Sequence, residues 1–247
     1  MKRALVLYWH GLGDVIVLTP HLRHLYERGY KTDLMCRAAV RESKLLDACP
    51  YVDKLIMVEN PWQSKLGFKR QAELNIELFH KLKGGYDWAG ASPHKTPFPK
   101  HYKIDITSVE LGIDLKDKKL EVFIPPSAKE EAARFVGGDY IFVHRLSEYH
   151  VSHSWDPDGW IKANLPSFKI VYSDIGGKIR RFNDINTMFA IARNAKHRVL
   201  ISSVLVSACD AMDCVIDAIN YGRPDRKLWP LDQSRVLHIR ENGKWIK

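Results

Sequence analysis

Short apolar runs alternate with amphipathic segments along the first half of the chain, and their order sets the fold class. Leu5-Val6-Leu7-Tyr8-Trp9 is an unbroken apolar run, long enough for a strand buried on both faces. It ends in Gly11-Leu12-Gly13-Asp14, and apolar periodicity then predicts a helix over 15–25. Strands are predicted at 32–36, 52–58 and 86–90. A helical piece over 41–47 stops before Pro50, and a longer helix over 68–82 is spaced by Leu74, Leu78 and Leu82 and halted at Gly84-Gly85. This βαβ alternation predicts a parallel sheet covered by helices.

Past Ala91 the pattern breaks. Pro93, Pro97 and Pro99 forbid regular structure, while His94, Lys95 and Lys100 make the loop basic, a candidate acceptor-binding segment. A helix is expected over 104–111, then a strand over 122–124 that runs into Pro125-Pro126. A second alternating set follows: helix from 128 to 135, strand 140–143, strand 168–172, helix 186–195 and strand 199–201. The prolines mark a boundary between domains 1–125 and 126–247, with an expected ligand cleft between them.

The first turn carries the sharpest chemistry. A glycine turn at a helix start converges backbone N–H groups on a small polar or anionic ligand, and Asp14 stands at its mouth, expected to be exposed. The turn is not a dinucleotide fingerprint, because bulky Ile16 occupies the third small position; nor is it a P-loop, since no Gly-Lys-Ser/Thr follows. A plainer role for Asp14 is a carboxylate suited to the helix dipole.

Composition narrows the partners. With 45% hydrophobic residues a packed core is assured, and no apolar run reaches the roughly 18 residues of a membrane span. The basic-then-apolar start runs into the glycine turn without a cleavage site, so it is read as a strand and not a signal peptide. Cys36, Cys49, Cys209 and Cys214 lack Cys-x-x-Cys spacing, which fits reduced thiols in a cytoplasmic protein. A net charge of +9 favours a polyanionic partner such as nucleic acid or an anionic glycolipid, against the simpler role of solubility. The oligomeric state is left open.

Gly11-Leu12-Gly13-Asp14 with Leu18-Thr19-Pro20-His21-Leu22 resembles the start of the ADP-heptose:lipopolysaccharide heptosyltransferase family. The likeness continues through Val52-Asp53-Lys54-Leu55-Ile56 and His101-Tyr102-Lys103-Ile104-Asp105 with Leu111-Gly112-Ile113. It runs on through Val143-His144-Arg145-Leu146-Ser147, Ser154-Trp155-Asp156-Pro157-Asp158-Gly159-Trp160 and Gly222-Arg223-Pro224. The resemblance implies a GT-B fold: two Rossmann-like domains facing each other across a cleft, the acceptor on the first and a nucleotide-sugar donor on the second, with no metal or other cofactor.

By that likeness Asp14 is the general base, facing the other domain and free of internal ion pairs, with Gly11 and Gly13 shaping the turn. Ser147 aligns with a phosphate-contacting hydroxyl, and His153 stands where the family has a lysine, with His150 and Arg145 near enough in sequence to add charge. A zinc site from His144, His150 and His153 matches no common ligand spacing. The family's late Asp-[Thr/Ser]-Gly-x-x-His motif matches only loosely around 207–216. Asp210 is taken for its aspartate there, and the glycine and histidine are missing. The resemblance implies an inverting sugar transfer. The family name suits a lipopolysaccharide core as acceptor, while the positive balance and the basic, partly aromatic loop 93–102 suit hydroxymethylated bases in DNA. A non-catalytic GT-B shell that binds nucleotide or nucleic acid is the alternative from another class.

Overall fold

The computed structural model describes residues 1–93, 103–145, 155–173, 184–221, 235–241 and 244–245, and divides into two compact units, Met1–Phe123 and Ile124–Lys247. Each is a parallel sheet with helices.

The first unit holds β1 (Lys2–Leu7), α1 (Leu12–Glu27), β2 (Tyr30–Arg37), α2 (Ala38–Glu42), β3 (Val52–Val58), α3 (Phe68–Leu82), β4 (Trp88–Ala91) and α4 (Lys103–Leu111). Its strands run in the order β3-β2-β1-β4, all parallel. β1 is central, which explains its uninterrupted apolar run: Ala4 to Leu7 are fully buried. The ladder ends two residues before the run does, yet Tyr8 N–H still bonds the Met35 carbonyl at 2.8 Å, and Tyr8 and Trp9 stay buried. Leu5, Leu7, Trp9, Met35, Ala72 and Phe79 form one core cluster against α3.

α1 is buried along most of its length and contains Pro20, which cannot donate to the Ile16 carbonyl four residues back. The Thr19 hydroxyl takes that place, donating to Ile16 O at 2.7 Å, and accepts from Glu121 N–H at 2.9 Å. A local defect is thereby turned into a tether for the segment that closes the unit. The same bond explains a departure from expectation. Residues 122–124 form no strand, because the chain here is held to α1 by Glu121 and then meets two prolines without N–H groups.

The second unit holds α5 (Pro126–Phe135), β5 (Tyr140–His144), α6 (Pro157–Asn164), β6 (Lys169–Tyr172), α7 (Ile185–Asn194), β7 (His197–Ile201), α8 (Val204–Ala211), β8 (Ile216–Tyr221), β9 (Val236–Glu241) and β10 (Lys244–Trp245). The sheet order is β10-β9-β8-β7-β5-β6, parallel apart from the β9–β10 pair. Ile141, Val143, Ile161, Val199 and Ala218 form a core cluster, with Trp155 and Trp160 packed on it. Asp217 sits within this sheet because it accepts from Arg198 N–H at 2.8 Å and pairs with His197 at 2.8 Å. Among the described residues no helix is long and apolar enough to cross a membrane.

Candidate active site

In each sheet the strand order reverses once, and the C-terminal ends of the two strands flanking that reversal form the crevice where α/β sheets bind ligands. In the first unit it lies between β1 and β4; in the second, between β5 and β7.

At the β1–β4 crevice Gly11 is the N-cap of α1, and Asp14 is the third residue of the helix. Asp14 Oδ2 accepts from the Gly11 N–H at 3.2 Å, the backward half of a capping box. Its Oδ1 forms an ion pair with the Lys103 ammonium at the start of α4. The expected exposed, unpaired carboxylate is therefore corrected: Asp14 is only 9% exposed and engaged through both oxygens. The cause is α4, whose first residue reaches over the turn. Gly11 has an ordinary extended backbone, and a Cβ there would meet only Asp14 Oδ2 at 3.6 Å, so sterics do not demand glycine. Gly13 is buried within the first turn of α1.

Residues to which sequence reasoning gave no role complete the cluster. His10 is buried, and its Nε2 donates to the Ser92 carbonyl at 2.9 Å, because a carbonyl can only accept. Ser92, just beyond β4, donates through its hydroxyl to Glu110 Oε2 at 2.6 Å. Burial pushes the His10 imidazole down to about 4, against the opposing pull of Asp14, so the ring is neutral near pH 7. Burial, reinforced by the Asp14 charge, raises the Tyr8 phenol well above its usual range. Lys103 and Glu110 lie seven residues apart on α4, with Thr107 between them on the same face, beside Tyr8. That spacing of polar residues in a half-buried helix is the signal that could have found them. Trp62, exposed, sits 5.7 Å from the His10 ring and 5.3 Å from Phe68, forming an aromatic ledge.

At the β5–β7 crevice His144 ends β5, buried, with Nδ1 2.6 Å from the Ser173 hydroxyl; burial lowers its imidazole to about 4. Arg145 follows, its guanidinium 4.4 Å from the Tyr172 ring, whose hydroxyl donates to Asp158 at 2.6 Å. On the other side, β7 ends at Ile201 and α8 begins at Val204. Ser203 caps α8 by accepting from Leu205 N–H at 3.2 Å. Ser207, one turn on, is buried with no partner for its hydroxyl among the described residues.

Asp210 is not part of this crevice. It lies in the last turn of α8, the end remote from β7, where Arg235 donates to its carbonyl at 3.3 Å and pairs with Asp213 at 2.8 Å. A phosphate site needs the N-terminal end of the helix, where backbone N–H groups are free. The segment in that position is Ser202-Ser203-Val204-Leu205-Val206-Ser207, with serines where the Asp-[Thr/Ser]-Gly-x-x-His motif has its aspartate and histidine. Ser147, His153, His150, His94, Lys95, Lys100 and the Gly222-Arg223-Pro224 turn lie outside the described residues. Among the described residues no three His, Cys, Asp or Glu side chains are grouped to hold a metal.

Solved structures share this fold over both units. A family 9 glycosyltransferase from Veillonella parvula matches 97% of this chain and 86% of its own, at TM-score 0.66 and 14% identity. The E. coli heptosyltransferase WaaC, solved with ADP, matches 98% and 94%, at TM-score 0.61 and 13% identity. E. coli ADP-heptose lps heptosyltransferase II matches 98% and 92%, at 0.57 and 13%. No family sequence model matches the chain, and no curated protein does. At such identities the likeness establishes a shared fold.

Proposed function

We propose that the protein is an inverting glycosyltransferase of GT-B organisation, taking a nucleotide-sugar on its second unit and an acceptor hydroxyl on its first. The observation that carries this reading is Asp14, a carboxylate fixed at the sheet crevice of a fold shared with heptosyltransferases, one of them solved with ADP. An ion pair with an ammonium requires the carboxylate form, the form in which a base starts. Each carboxylate oxygen has two lone pairs, so the contacts to Gly11 and Lys103 leave room for a hydroxyl. In the step proposed, the acceptor oxygen attacks the anomeric carbon as its bond to the diphosphate breaks, and the hydroxyl proton passes to Asp14. The N–H groups at the start of α8, with Ser203 and Arg145, suit the departing diphosphate, so the reaction needs no divalent cation.

The acceptor in this reading is anionic. The net charge of +9 supports it, as does the ledge of Trp62 and Phe68, with exposed Lys65 and Lys69 next to it in sequence. An anionic glycan stacked on that ledge is the first reading, because a neighbour of the same fold is an lps heptosyltransferase. Hydroxymethylated DNA is the second, favoured by the same pairing of aromatic and basic groups.

The test incubates the protein in EDTA with labelled ADP-heptose and other nucleotide-sugars, offering either lipopolysaccharide core or hydroxymethylcytosine DNA. Transfer to the core supports the first acceptor, and transfer to DNA the second. If no nucleotide is released from any donor with either acceptor present, the enzymatic reading falls in favour of a binding shell.

A further inference from the structure

At the opposite edge of the first sheet, where the strands begin, lies a cleft of about 480 Å³, inside the range of small-ligand sites. Lys2 opens β1, Tyr30 opens β2 and Trp88 opens β4; His24 and Arg28 end α1, and Asp114 follows α4. β1 separates this cleft from Asp14 by roughly 20 Å, six residues of extended chain. It is a different place from the crevice described above.

Two cations, Lys2 and Arg28, and the His24 imidazole share its lining. Lys2 lies over the Tyr30 ring at 5.6 Å, and among the described residues neither it nor Arg28 has an ion-pair partner. The His24 imidazole is lowered first by partial burial and next by the Arg28 charge. The lining also includes aromatic Tyr30 and Trp88. The Trp88 ring lies along β4 over Gly90, where a Cβ would come within 2.4 Å of it, so glycine is what lets the indole lie flat. Bases at the carboxyl end of α1 complement its dipole, which accounts for His24 and Arg28. That role does not call for Lys2 on a strand, nor for an open cleft with an indole in its lining. The carbonyls ending α4 are already served by Gly112 N–H at 3.2 Å and Ile113 N–H at 2.9 Å.

We propose that this cleft binds a phosphorylated saccharide, with the phosphate held by Arg28, Lys2 and His24, the sugar ring on Trp88 and a sugar hydroxyl on Asp114. A planar guanidinium suits a phosphate and a carboxylate suits a hydroxyl donor, while an indole face suits the C–H surface of a sugar ring. The inference stands apart from the glycosyltransferase reading.

Calorimetric titration of the full chain tests it, using glucose 1-phosphate, glucose, inorganic phosphate and AMP as probes. Glucose 1-phosphate is expected to bind one per chain and more tightly than the other three. Arg28→Ala, an exposed position that should not disturb folding, weakens that binding about tenfold, the loss of one charge-assisted contact. Trp88→Leu removes the preference for glucose 1-phosphate over inorganic phosphate, and Asp14→Asn leaves binding unchanged. Four results would each overturn the proposal: no binding of glucose 1-phosphate up to about 10 mM, equal binding of inorganic phosphate or AMP, indifference to Arg28→Ala, or loss of binding with Asp14→Asn.

Discussion

The two crevices are built on the same topology and finished in opposite ways. Between β1 and β4, groups from three segments lock onto one another: Asp14 to Lys103 and the Gly11 N–H, His10 to the Ser92 carbonyl, and the Ser92 hydroxyl to Glu110. Between β5 and β7 the described polar groups are fewer and more open, namely the capped start of α8, Arg145 against Tyr172 and the buried Ser207 hydroxyl. Groups held by other groups keep one geometry, which chemistry on a single atom requires. Backbone N–H groups with short hydroxyls accept an anion without aiming at one atom. On the reading proposed above, the first crevice would carry the reaction and the second would hold the donor.

The largest test of this contrast is Asp14→Asn. The amide keeps the shape and can still accept from Gly11, but it cannot take a proton. Transfer should fall by about two to four orders of magnitude while nucleotide affinity stays within about twofold. Equal losses in both would mean that the Asp14–Lys103 pair serves only to pin α4 onto α1. Thermal unfolding measured alongside separates the two, since only the pinning role makes stability the main loss.

Acid should act unevenly. His10 and His21 in the first unit are lowered by burial to about 4 and about 3, and His144 in the second to about 4. Each is neutral when folded, and each returns to about 6.5 when unfolded. Below that value the unfolded chain binds more protons, so stability falls as pH drops from about 6.5 towards 4. The effect is of order 3 kcal/mol per histidine by pH 4. Urea unfolding and amide exchange at pH 7, 5.5 and 4 should show the first unit losing protection more steeply. A flat response across that range rules out buried neutral histidines as the cause of acid sensitivity.

How much of this was readable from sequence depended on whether a feature is local. The bounds of β3 and α3 follow from pattern alone, since Val52–Val58 is a short β-rich run and the Leu74, Leu78, Leu82 spacing is broken by Gly84-Gly85. β8 and β9 were not predicted: Asp217 and Asn220 interrupt the apolar pattern of the first, and what makes Asp217 tolerable is its partners on β7, His197 and the Arg198 N–H. Asp14 was legible because strand, turn and helix are contiguous. Lys103, Ser92 and Glu110 were not, because only the placement of β4 beside β1 brings them to His10 and Asp14. Asp210 misled for a related reason. An aspartate in roughly the right stretch says nothing about which end of α8 it occupies.

A smaller effect tests the tether that closes the first unit. Thr19→Val keeps the shape but strands the Ile16 carbonyl, which Pro20 cannot serve, and the Glu121 N–H. The expected loss is about 2 kcal/mol in urea unfolding. Pro20→Ala in the same chain restores an N–H to Ile16 and should recover part of it. If the double variant is no more stable than Thr19→Val alone, the carbonyl was never the costly group and the bond to Glu121 carries the effect.

The smallest effect bears most directly on the second crevice. Ser207 buries a hydroxyl with no partner among the described residues, on the turn of α8 that follows its cap. A buried hydroxyl left unpaired costs about 1 kcal/mol or more, so in the free protein Ser207→Ala should be neutral or stabilising by about that amount. If the hydroxyl is kept to meet a donor phosphate at the start of α8, the same variant should weaken nucleotide diphosphate binding several-fold. Opposite signs in the two measurements are what a binding crevice requires: a group that lowers the stability of the empty fold and is satisfied only by ligand. A gain in stability with unchanged nucleotide affinity would leave Ser207 as a packing residue and move the phosphate contacts to the backbone of Ser203 and Val204.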